Sequence, residues 1–167
     1  MLSCQKGDTG PQGPAGPQGP QGNQGASGTA ANVIYSDWLT VTAGEWKDTV
    51  MTNITAAKRI IKIASKLTQP ILDSGVILVY LKDPIINTIY QLPLQYNINP
   101  VRIHNYIPRV GSFIFYEYST DGTGGAASTI NQYRYVIIPG LVRTTGRVMN
   151  WNQMSYAEVC RILEIPE

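Results

Sequence analysis

Glycine stands at every third position over one stretch: Gly7, Gly10, Gly13, Gly16, Gly19, Gly22, Gly25 and Gly28. A strict period of three is what a triple helix of polyproline II chains demands, because only a hydrogen side chain fits at the axis where three chains meet. Pro11, Pro14, Pro17 and Pro20 each follow a glycine directly, where the ring already holds φ close to the polyproline II value. The competing reading is a flexible Gly/Pro/Gln linker that needs no partner. Phase kept through eight successive triplets favours the triple helix. The chain's first expected partner is therefore itself, as a homotrimer.

At about 3 Å per residue the repeat makes a rod of roughly 70 Å. Its third positions hold Thr9, Gln12, Ala15, Gln18, Gln21, Gln24 and Ser27, never the proline that hydroxylation would use, which favours a bacterial or phage source. So short a triple helix is marginal alone, since three chains must be ordered together. It needs a trimeric neighbour to set register, and residues 31–167 are the natural supplier. The domain plan is thus a leader over 1–6, a stalk over 7–30 and a head over 31–167.

Leu2-Ser3-Cys4 matches the end of a lipoprotein signal, which makes Cys4 the candidate site of lipid attachment and residues 1–6 the remnant of that signal. The plainer alternative is a cysteine without a role. The only other cysteine is Cys160, so neither a disulfide framework nor a thiolate metal site is expected. A formal charge of +2 with 14% charged residues is too mild for a nucleic-acid partner. No run approaches the ~18 apolar residues of a membrane-spanning helix.

After the repeat the pattern turns to strands. Residues 32–41 and 46–55 read as a first strand and an edge strand. Arg59–Lys66 reads as a half-buried strand with isoleucines on one side and lysines on the other. Thr68, Pro70 and Gly75 mark the start and stop of one or two helical turns. Val76–Leu81 is an unbroken apolar run, read as a central strand buried on both faces. Pro93 confines Tyr90–Tyr96 to an edge or bulge. Val101–Tyr106 and Gly111–Tyr118 form a pair, a glycine-rich loop covers 119–128, and Gln132–Ile138 follows, with 141–149 able to pair once more. Ser155 and Glu158 form a capping box ahead of a helix whose buried stripe is Tyr156, Val159, Cys160 and Leu163. The expected fold is mainly β: an antiparallel sandwich, jelly-roll-like, with a C-terminal helix.

No nucleophile elbow, phosphate loop or metal cluster is present in the sequence, so no catalytic residue, metal or cofactor is assigned. His104, the one histidine, sits in a strand beside Arg102 and reads as structural. Tyr116, Tyr118, Tyr133 and Tyr135 lie at alternate positions in two strands taken as neighbours, so each strand projects its pair on one face. Two readings of that face stay open: a core or trimer contact, and a platform for a glycan or protein ligand.

The order of the Gly-x-y repeat, then Ala31-Asn32-Val33-Ile34-Tyr35-Ser36-Asp37-Trp38, then Ile71–Tyr80, then Tyr133-Arg134-Tyr135-Val136-Ile137-Ile138-Pro139-Gly140 resembles a family of collagen-like surface proteins and lipoproteins of Bacteroidetes. The resemblance implies an extracellular, cell-surface location and a stalk-plus-head architecture, and it carries over no catalytic residue. The expectation is a non-enzymatic structural or adhesive protein, a trimeric stalk presenting β-sandwich heads. The alternative is a filament or appendage subunit in which stalks and heads of successive trimers interlock.

Overall fold

β-branched and aromatic residues in short alternating runs, punctuated by glycine and proline, leave the head little choice but sheets. The computed structural model describes residues 33–51, 54–97, 100–125, 127–139 and 149–167. Cys4, the glycine repeat and most of the pairing segment expected over 141–149 lie outside the described residues. The strands are β1 (Ile34–Tyr35), β2 (Lys47–Met51), β3 (Ile54–Ile63), β4 (Val76–Asp83), β5 (Thr88–Gln91), β6 (Leu94–Tyr96), β7 (Arg102–Arg109), β8 (Ser112–Ser119) and β9 (Gln132–Ile138). Two helices, α1 (Gln69–Ser74) and α2 (Tyr156–Leu163), complete the described elements beside two single 3-10 turns.

The strands form two antiparallel sheets: β1-β9-β4-β5, and β2-β3-β8-β7-β6. The apolar run at Val76–Leu81 is the central strand expected of it. It pairs with β9 on one side and β5 on the other, and Leu78, Val79, Tyr80 and Leu81 are all buried. The first strand is shorter than its composition predicts. Only Ile34 and Tyr35 pair with β9 as a strand, and Leu39 returns as a single bridge to Tyr133. The segment with Pro93 splits in two. β5 is an edge of the four-stranded sheet and β6 an edge of the five-stranded one, and the cis Leu92–Pro93 peptide lies at the corner between them.

Aromatic rings fill the space between the sheets. Phe113 stacks on Tyr135 with ring centroids 4.9 Å apart, and Phe115 meets Tyr133 at 4.4 Å. Around them pack Ile60, Leu67, Val79, Leu81 and Ile137, all at 1% exposure or less. Each such side chain contributes about 1.5–3 kcal/mol relative to exposure.

A second core lies on the other side of the four-stranded sheet. Alternation sends Leu78, Tyr80, Val136 and Ile138 outward, and α2 covers them with Tyr156, Val159, Cys160 and Leu163. Ser155 caps this helix as its sequence predicts: its Oγ accepts from Glu158 N–H at 3.3 Å, and Glu158 Oε2 accepts from Ser155 N–H at 2.8 Å. Cys160 is 2% exposed, and burial pushes its thiol above the ordinary range, so it acts as a small apolar side chain. The layers therefore run helix, four-stranded sheet, five-stranded sheet.

The outer side of the five-stranded sheet has no such cover among the described elements. Here the structure corrects the reading of β3. Ile60 and Lys62 share one side of the strand, while Arg59, Ile61 and Ile63 share the other. Ile60 joins the core, but Ile61 is 50% and Ile63 75% exposed. The isoleucines are divided between both sides because the strand's partner, β8, decides which alternate set faces in.

Candidate functional site

The four tyrosines singled out by sequence do not share a surface. β8 and β9 belong to different sheets, so the strands carrying them are not neighbours. Tyr133 and Tyr135 point between the sheets, stacked on Phe115 and Phe113. Tyr116 and Tyr118 alternate with these phenylalanines and therefore lie on the outer side of the five-stranded sheet. Tyr116 is 8% exposed and stands in register between Arg59 of β3 and Asn105 of β7. The sequence pattern could show alternation within each strand but not which strands lie side by side, since β8 pairs with β3 from far along the chain.

Registers define the outer face row by row. Ile63, Ser112 and Arg109 form one row; Ile61, Ile114 and Ile107 the next; then Arg59, Tyr116 and Asn105; then Ala57, Tyr118 and Ile103. The exposed apolar positions collect in the first two rows and in the adjoining β7–β8 turn, where Val110 is 58% exposed. Arg59 Nε is buried on this face without a hydrogen-bond partner among the described residues. Sequence reasoning missed these isoleucines. Their signal was present as Ile60-Ile61 and Ile63, three isoleucines too many for one side of a single strand.

A second constellation is polar and mostly buried, with Arg102 reaching it from a side chain one third exposed. Alternation sends Arg102 and His104 of β7 and Glu117 of β8 inward. Glu117 is 1% exposed; it accepts from Arg102 Nη1 at 3.4 Å and from Ser128 N–H at 3.1 Å. The glycine-rich loop is drawn onto β8 by these bonds. Trp46 Nε1 donates to Ser128 O at 3.0 Å, and a side chain at Gly125 would place a Cβ 2.3 Å from Glu117 O. His104 stands edge-on to Tyr96 at 5.5 Å, and its Nδ1 has no hydrogen-bond partner among the described residues. Burial holds its pKa below the ordinary 6.5; Glu117 pulls it up and Arg102 pushes it further down. Burial also raises Tyr96 to about 12 and Tyr133 further still, so both remain neutral phenols.

On the helix side, the buried Arg134 guanidinium lies 5.2 Å from the Tyr35 ring, 5.8 Å from Trp38 and 5.8 Å from Tyr156, and it donates to Tyr156 Oη. This cation–π cage fastens the N-terminal segment and α2 to the four-stranded sheet. Among the described residues no group of three His, Cys, Asp or Glu side chains is placed to hold a metal ion. No described helix is long and apolar enough to cross a membrane.

These elements define the class of the head: a two-sheet antiparallel β protein with one outer face covered by a helix. Comparison with protein-family models, with curated protein sequences and with solved structures finds no match.

Proposed function

We propose that this chain is a non-enzymatic structural or adhesive protein of the extracellular surface, a homotrimer in which residues 7–30 form a collagen-like rod that presents three β-sandwich heads. The observation that carries this reading is the unbroken spacing of eight glycines from Gly7 to Gly28, which a triple helix requires and a flexible linker does not. Three heads on one rod turn individually weak contacts into a multivalent one. Cys4, three residues ahead of the first repeat glycine, is the proposed lipid attachment point. The polar cluster of Glu117, Arg102 and His104 serves as the internal anchor of the loop over 119–128 rather than as a reaction centre, since its carboxylate is spent on Arg102 and the Ser128 amide.

Sedimentation and circular dichroism of the full chain test the reading together. The expected result is a trimer whose spectrum contains a triple-helix component lost cooperatively on heating. A monomer without that component would overturn the proposal.

A further inference from the structure

Three copies joined by a rod as short as eight triplets need a second contact, and the head has two outer faces on which to make it. α2 already covers one, where Leu78, Tyr80, Val136 and Ile138 are buried. The other, on the five-stranded sheet, carries Ile61 at 50%, Ile63 at 75% and Ile107 at 36% exposure around Ile114, itself 5% exposed, with Val110 at 58% in the adjoining turn. A contiguous apolar patch of this kind marks a contact surface on a soluble domain.

Its position relative to the chain's entry point identifies the occupant. The described chain enters at Val33, beside β1, and Ile34 pairs with Ile137 near the end of β9. The ring contacts of Phe113 with Tyr135 and Phe115 with Tyr133 lay β8 across from β9. Tyr106 Oη of β7 donates to Ile77 O of β4 at 3.4 Å, which lays β7 across from β4. β3, on the remaining side of β8, therefore lies across from β1, the strand by which the chain enters. Along the strands, Phe113 is the member of its pair nearer the Ile137 end, so Ile61, Ile63, Ile107 and Val110 gather at the end where the repeat joins the head. Sheets in a sandwich lie about 10 Å apart. The four residues 29–32 span at most ~14 Å when extended, comparable with that separation.

We propose that the outer face of the five-stranded sheet, centred on Ile61, Ile63 and Ile107, is the surface through which three copies of this chain pack at the base of the stalk. The partner is a second copy because the glycine repeat calls for three chains and the patch lies at the same end of the sandwich as Val33, which follows the repeat. This inference rests on the triple-helix reading of the repeat. Contact between copies buries the exposed isoleucines.

The test uses the full chain carrying Ile61→Lys and Ile63→Lys, with a control carrying Ile85→Lys and Ile86→Lys in the β4–β5 turn, where the isoleucines are 74% and 56% exposed. Association is read by sedimentation equilibrium and the head fold by near-ultraviolet circular dichroism. The proposal expects the control to associate like the unmodified chain and the sheet-face variant to dissociate at least tenfold more readily with its head spectrum unchanged. Should the double variant lose that spectrum, Ile63→Lys alone, at the most exposed position, decides by the same criterion. Equal association of control and sheet-face variant overturns the interface while leaving the trimeric stalk intact. An unmodified chain that is monomeric and lacks the triple-helix signal overturns both.

Discussion

His104 shows how one residue's surroundings set its chemistry. It lies on the inward side of β7, edge-on to Tyr96 and close to both Glu117 and Arg102. Burial is the largest influence on its pKa and lowers it; Arg102 acts in the same direction and Glu117 opposes them. Protonation is therefore resisted in the folded chain and free in the unfolded one. Above about 6.5 both states are neutral and the stability is fully present. As the pH falls through 6.5 toward the lower folded value, the unfolded state takes up a proton first and stability declines. Urea denaturation from pH 7.5 down to 5.5 should show that decline, and His104→Leu should flatten it. Equal slopes for both proteins would contradict the assignment. That the histidine stands beside an arginine in a strand was legible, but its environment was not, because Glu117 and Tyr96 reach it only through sheet pairing.

At the scale of elements, local signals were readable where they were self-contained. The Ser155–Glu158 capping box and the stripe of Tyr156, Val159, Cys160 and Leu163 predict α2 correctly because both depend on neighbours three and four residues away. Loss of the Ser155 hydroxyl removes the acceptor for Glu158 N–H, so Ser155→Ala should cost about 1 kcal/mol in denaturant unfolding. Ser155→Asp, which restores an acceptor, should recover most of it. The helix over Gln69–Ser74 was equally legible, although Thr68 occupies its cap without a side-chain hydrogen bond. Nonlocal choices were not legible. Nothing between Arg59 and Lys66 says which parity faces the core, and nothing near Tyr116 or Tyr133 says that their strands fall in different sheets. Those outcomes come from β3 pairing with β8 and β4 with β9, across long stretches of chain.

For the whole molecule, stalk and head make separable demands. In the proposed triple helix the axis positions take nothing larger than glycine, while the head's two cores are built from residues of the head itself. A Gly16→Val substitution, placed mid-repeat, should weaken the cooperative triple-helix transition and lower its midpoint while leaving the near-ultraviolet spectrum of the head unchanged. A change in the head spectrum instead would mean that stalk and head fold as one unit.

The covering of the four-stranded sheet by α2 also has a consequence in the order of synthesis. Leu78, Tyr80, Val136 and Ile138 are all made before residues 156–163, the segment that shields them. Both outer faces of the sandwich thus carry exposed apolar side chains in a nascent head until residues 156–163 are made, and α2 is what makes the two faces different. Until then a growing chain has two surfaces on which neighbours can stack end on end. Formation of α2 closes one of them.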